Sequence, residues 1–191
     1  MSAIAAELLS AERFFAWSHR PENQGKVLEL EQGEVVEMPP PGRLHGTICF
    51  LIARILGNYL FQRGGGSLCT NDTGLLVEED PDTLRGPDVM LFLESHPLDE
   101  ITVSFSEDVP DLIVEVFSPA DRWTKMNARV AQYLARGVPM VWVVEPSDLA
   151  LTVHRLGKPV EWFREADELT GNGVLPDFRC KVAELFTLPG S

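Results

Sequence analysis

Basic residues are scarce in this chain, 16 Lys and Arg against 29 Asp and Glu, so the formal net charge is −13. That balance argues against a broad basic surface for nucleic acid, because neutralised phosphates supply most non-specific affinity. It leaves room for a local basic groove, or for acids that a bound cation neutralises. Cysteine is scarcer still. Cys49, Cys69 and Cys180 are far apart, with no CxxC pair and no nearby histidine ligand pattern, so neither a disulfide framework nor a zinc site is expected, only core or surface thiols. Long apolar runs are also missing: the longest, Thr47 to Leu60, is interrupted by Arg54 and Asn58 and falls short of the roughly 20 residues that a membrane span needs. The N-terminal "MSAIAAELLSAERFFAW" carries acids early and no basic segment ahead of its apolar part, so it does not read as a signal peptide, and the cytoplasm is the default location.

Repeats, low-complexity segments and linkers are absent too, so nothing divides the 191 residues. A chain of this length buries a core without disulfides or structural metal, and 45% hydrophobic with 24% charged residues is the mix of a soluble globular protein. One domain over 1–191 is expected, with residues 1–25 as an N-terminal helical extension whose helix spans 3–17.

The patterning then gives the elements. "VLELEQGEVVEM" alternates on either side of Gln32-Gly33 and predicts a β-hairpin. "RLHGTICFLIARILGNYLFQR" places Ile48, Ile52, Ile55 and Tyr59 at helical spacing, and "GGG" at 64–66 stops that helix. "SLCT", "GLLVEED" and "PDVMLFL" are short strand-like runs, and the acidic run 78–82 reads as a solvated loop. "DLIVEVF" is a strand; "SPAD" after it predicts a helix start with Ser118 as N-cap, Pro119 first and Asp121 in the first turn. Met126, Val130, Tyr133 and Leu134 give the helix a buried stripe, Gly137 ends it, and "MVWVVE" is a second buried strand. Strand, helix, strand over 111–145 favours two neighbouring parallel strands in a mixed sheet. "LALTVHRL" and "KPVEWFR" form a hairpin turning near Gly157, and the tail ends in a short helix.

One residue does not fit its surroundings. Glu115 sits inside the apolar strand "LIVEVF", where an ionised carboxylate costs several kcal/mol unless a cation, a metal or strong donors receive it. Asp88 follows Pro87 and heads "VMLFL", so a neighbouring strand could bring it beside Glu115. Two carboxylates so placed repel each other, and a hard divalent cation relieves them; Mg²⁺, completed by one or two carboxylates, several waters and a substrate phosphate, suits such a pair. The plainer alternative makes Asp88 a turn residue and pairs Glu115 with Arg129 or Lys125 in a structural ion pair.

The stretches "LRGPDVMLF", "PDLIVEVFSPAD", "KMNARVAQYLARGV", "VWVVEP" and "GVLPDF", with "GEVVEMPPPGRLHG" upstream, resemble in order and spacing the PD-(D/E)XK nuclease superfamily. Within it they are similar to a large bacterial family of restriction-endonuclease-like proteins of unknown function. The resemblance covers nearly all of the chain after about residue 26. It implies an α/β (α+β) fold, a restriction-endonuclease-like mixed β-sheet flanked by helices. It implies a metal held by Asp88, Glu115 and the backbone carbonyl of Val116, Mg²⁺ with Mn²⁺ as a substitute. The superfamily lysine two residues after the glutamate is Phe117 here, and Lys125 on the following helix is its expected replacement. His45 is a further expected site residue, from the family's habit of a histidine there, and Glu37 an extra acid near the site. A metal-dependent endonuclease acting on DNA as a homodimer is therefore the expected function. The alternatives are a non-catalytic nuclease-like interaction module, which the net charge and Phe117 favour, and a hydrolase of a small phosphoester.

Overall fold

The computed structural model of the chain describes residues 8–118, 122–188 and 190. In chain order the elements are α1 (Ala11–Ser18), β1 (Val27–Glu31), β2 (Glu34–Met38), α2 (Arg43–Arg63), β3 (Ser67–Thr70), β4 (Leu75–Glu78), β5 (Thr83–Arg85), β6 (Val89–Phe92), β7 (Leu112–Val116), α3 (Trp123–Arg136), β8 (Met140–Glu145), β9 (Ala150–His154), β10 (Glu161–Arg164), β11 (Glu168–Thr170) and β12 (Arg179–Lys181). Among the described residues they form a six-stranded sheet of order β10-β9-β8-β7-β6-β3, a four-stranded sheet of order β2-β1-β5-β4, and the pair β11-β12. The expected mixed α+β fold is present. In the six-stranded sheet β7 and β8 run parallel, joined by α3 as the strand–helix–strand pattern predicts, and the other neighbours are antiparallel.

Each layer follows from its apolar pattern. Ile48, Leu51, Ile52, Ile55, Leu56 and Leu60 make one face of α2 and pack on the face of the large sheet that presents Val89, Leu91, Leu112, Val114 and Trp142. Gly64, left-handed at φ 82, ends this helix where the glycine run begins. The opposite face of the sheet presents Met90, Ile113, Val141 and Val143 to Met126, Val130 and Tyr133 of α3, and Leu75 and Val77 of β4 join that cluster. Because strand side chains alternate, the small sheet divides in the same way. Leu30, Leu76 and Leu84 face Ala11 and Phe14 of α1, which leaves Glu29, Glu31, Thr83 and Arg85 on the other side. Charged groups of the small sheet thus reach α3, where the two sheets come together.

Three expectations need correction. The first helix begins at Ala11 rather than at residue 3: Ser10 is extended and its hydroxyl accepts the Arg13 N–H, an N-cap that fixes the start. Residues 1–7 lie outside the described part. The helix after β7 is described from Trp123, with Arg122 extended ahead of it, and the expected first turn at 119–121 lies outside the described residues. The acidic run 78–82 is only partly a loop. Glu78 ends β4 and accepts from Thr83 Oγ1 and Gln132 Nε2, Asp82 accepts the Ala11 N–H at 2.7 Å, and Thr83–Arg85 form a strand too short for its alternation to be visible in sequence.

Candidate active site where the two sheets meet

The antiparallel register pairs Val89 with Val114, so Asp88 and Glu115 are the next residues outward at this end of the two strands; the Glu115 carboxylate meets α3, and that of Asp88 meets His45 of α2. At that point the backbone ladder gives way to a side chain: Asp88 Oδ2 accepts the Val116 N–H at 2.7 Å. Asp88 Oδ1 lies 3.2 Å from His45 Nε2, in the first turn of α2. One turn on, Cys49 Sγ lies 3.5 Å from His45 Nδ1. The imidazole therefore bridges a carboxylate and a thiol. The hydrogen bond to Asp88, then that to Cys49, raises His45 from its ordinary 6.5 to about 10, so it is a cation near neutrality. Burial pushes the Cys49 thiol up.

Glu115 is 5% exposed. Its Oε1 accepts the Tyr133 hydroxyl in a short hydrogen bond and meets Arg129 NH1 at 3.4 Å, both partners coming from α3. No hydrogen bond to Oε2 is made among the described residues. Burial is the main reason that the Glu115 carboxyl is raised to about 8; Arg129 opposes the rise and Asp88 adds to it. The same α3 arginine ties the small sheet in. Arg129 NH2 binds Glu29 Oε2, which Arg85 NH1 also meets at 3.1 Å, while Glu29 Oε1 accepts the Gly86 N–H at 3.0 Å. Arg85 continues outward to Glu31 at 3.2 Å and to Gln132 at 3.1 Å. A network of two arginines and three acids thus links β1, β5 and α3 to the Glu115 carboxylate.

Gly86 permits a further acid to approach. A Cβ there would stand 2.8 Å from Asp72 Cβ and 2.9 Å from the Asp72 carbonyl oxygen, so a residue with a side chain would force the loop after β3 away. Asp72 has an exposed surface, yet desolvation and then the charges of Asp88 and Glu29 raise its carboxyl.

This geometry, two carboxylates on neighbouring strands beside the half-buried cations His45 and Arg129 at the end of a mixed sheet, can be set beside known proteins. Residues 11–183 match the Uma2 family, described as "Putative restriction endonuclease". The chain belongs to the Uma2 family. Among solved structures it is similar to a putative nuclease of the DUF820 family from Anabaena variabilis, with a TM-score of 0.77 at 18% identity, covering 93% of this chain and 97% of that one. At that identity the likeness speaks for the fold. No curated protein matches the chain.

Within this Uma2 chain the structure gathers some of the sequence-derived site residues and not others. Asp88, Glu115, Val116 and His45 come together, with the Val116 amide turned to Asp88. Lys125 shares α3 with Arg129 and Tyr133 at steps of four residues, so the three follow one flank of the helix from solvent inward. Lys125 is exposed at the outer end, where its charge helps lower the Glu31 carboxyl, a shift due first to the hydrogen bond from Arg85. The buried charge of Glu115 meets Arg129, not Lys125, in the structure, so the ion-pair alternative of the sequence reading names the contact made. Glu37 is opposite Leu28 on the edge strand β2, exposed, on the face away from Glu29. Phe117, in the place of the superfamily lysine, stacks on Trp123 with ring centroids 4.5 Å apart.

Glu29, Arg85 and Cys49 were not singled out in sequence. Glu29 alternates with Leu28 and Leu30, the pattern of a solvated strand face, and only the second sheet shows that both faces are covered. Cys49 did carry a signal, since it stands four residues after His45 on a helix. The reading that it lacks a histidine neighbour is corrected by the 3.5 Å contact.

Proposed function

We propose that the chain is a divalent-metal-dependent endonuclease hydrolysing phosphodiester bonds of DNA. Asp88, Glu115 and the Val116 carbonyl would hold Mg²⁺, with Mn²⁺ able to replace it. The observation that carries this reading is the adjacency of Asp88 and Glu115 across β6 and β7 in a chain of this family. The donors suit a hard cation: they are oxygens, Glu115 Oε2 accepts no hydrogen bond among the described residues, and the carboxylates repel each other. When bound, such a cation polarises the scissile phosphate and lowers the pKa of a coordinated water.

The rest of the work falls to the chain itself. Tyr133 and Arg129 hold Glu115 Oε1, and the Val116 amide holds Asp88 Oδ2, so both carboxylates are positioned before substrate arrives. Lys125, exposed one turn before Arg129 on α3, meets the phosphate and orients the attacking water. His45 turns from Asp88 to a phosphate oxygen and donates its proton there. We propose a homodimer, which presents one site to each strand; light scattering at twice the chain mass checks it, and a monomer mass over a wide concentration range contradicts it.

A non-catalytic nuclease-like module is the competing reading. It is favoured by one observation, the stacked Phe117–Trp123 pair where a lysine would stand. Incubation of plasmid, linear and single-stranded DNA with Mn²⁺ separates the two, with Asp88→Asn as the control.

A further inference from the structure

We infer that His45, Cys49 and Asp88 form a binding site for a borderline transition-metal cation of the Zn²⁺ class. One ligand atom from each of the three lies within 4.8 Å of the others. The four-residue step from His45 to Cys49 puts both on one face of α2, as helical metal ligands require. Asp88 completes the set from the sheet, and its second oxygen is already fixed by the Val116 N–H, the kind of outer partner that orients a ligating carboxylate. Zinc bonds of about 2.0–2.3 Å put neighbouring tetrahedral ligand atoms roughly 3.3–3.6 Å apart. The contacts of 3.2 Å to Asp88 and 3.5 Å to Cys49 are made by opposite ring nitrogens, Nε2 and Nδ1, so the cation would take one of them, and the ring would turn while the thiol and the carboxylate close in from the 4.8 Å that now bounds the three ligand atoms.

The donor chemistry selects the ion. A thiolate and an imidazole favour Zn²⁺ or Co²⁺ over Mg²⁺, which seeks oxygen alone. Three protein ligands leave a fourth position for water, the arrangement of an open zinc centre rather than a closed structural one. In the structure the imidazole stands between thiol and carboxylate, and a cation bound through one of its nitrogens would replace these hydrogen bonds as the ligands release protons. The site does not depend on DNA cleavage. Only its consequence rests on the nuclease reading: Asp88 would be shared, so Zn²⁺ would compete with Mg²⁺ for it and inhibit hydrolysis.

Titration of chelator-treated protein with Co²⁺ tests the site directly, because a thiolate ligand gives cobalt a near-ultraviolet charge-transfer band. The parent is expected to develop the band with a single equivalent, to lose it on addition of Zn²⁺, and to keep it under a large excess of Mg²⁺. Cys49→Ser and His45→Ala should abolish the band while their circular dichroism matches the parent, and Cys69→Ser and Cys180→Ser should retain it. If either site variant unfolds, Asp88→Asn takes its place and should weaken cobalt binding at least tenfold. Absence of the band in the parent, or its survival in Cys49→Ser, would overturn the inference. Band formation without DNA cleavage leaves the site standing and counts against the nuclease reading alone.

Discussion

Asp88 Oδ2 accepts the Val116 N–H at 2.7 Å, so a side chain of one strand caps the ladder of the next beside Glu115. This contact fixes where the acid of "GPD" sits relative to the acid of "LIVEVF", and it does so through backbone geometry. Asp88→Asn can keep the hydrogen bond through its amide oxygen while losing the charge. It should fold, yet lose both hydrolysis and the Mn²⁺-induced rise in melting temperature. A metal-induced rise equal to that of the parent would show that Asp88 holds no cation.

Arg129 touches both Glu29 and Glu115, and the side chains of the three are at most 14% exposed. Arg129→Met should therefore destabilise the fold by about 3–5 kcal/mol, the usual cost of leaving a buried charge without its partner. The midpoint of denaturant unfolding measures it. Tyr133→Phe removes a single hydroxyl from Glu115 Oε1 and should cost less, about 1–3 kcal/mol.

The pH dependence has a definite sign. His45 is raised from 6.5 to about 10, first by its hydrogen bond to Asp88. A folded-state pKa above the unfolded one means that the proton stabilises the fold. That stabilisation is complete below 6.5 and lost as pH rises through about 10. In the presence of a chelator, the parent's advantage in unfolding midpoint over His45→Gln should shrink steadily between those values. A difference that stays constant from pH 6 to 10 would contradict it.

Much of the frame was legible in the sequence because its signals are local. The apolar stripe of α2 and its glycine stop, the β7–α3–β8 unit and the hairpins all follow from periodicity and turn residues within short windows. The oddity of Glu115 was legible for the same reason: a carboxylate in a two-sided apolar run is a local contradiction. Its partner was not uniquely legible, since Arg129 and Lys125 both lie on the following helix and only the packing of α3 selects Arg129. Glu29 was hidden because burial of its strand face comes from a second sheet distant in sequence, joined through Arg85 and Arg129. The first turn of α1 was misplaced because "AAELL" has good helix propensity, whereas Ser10 capping sets the start at Ala11.

Lys125 separates the catalytic reading from the non-catalytic one. It is exposed, so Lys125→Ala should leave stability within about 0.5 kcal/mol of the parent. Hydrolysis should nevertheless fall below detection while the Mn²⁺-induced thermal shift remains. Cleavage equal to the parent would remove Lys125 from the mechanism and leave Arg129 as the cation to examine.

The most direct measurement is cleavage of supercoiled plasmid by the purified parent protein in Mg²⁺ and in Mn²⁺, run beside Asp88→Asn and a chelator control. Nicked and linear products are expected from the parent with either ion, and none from Asp88→Asn or with the chelator. Intact plasmid in every lane, with parent and variant both folded by circular dichroism, would contradict the nuclease reading.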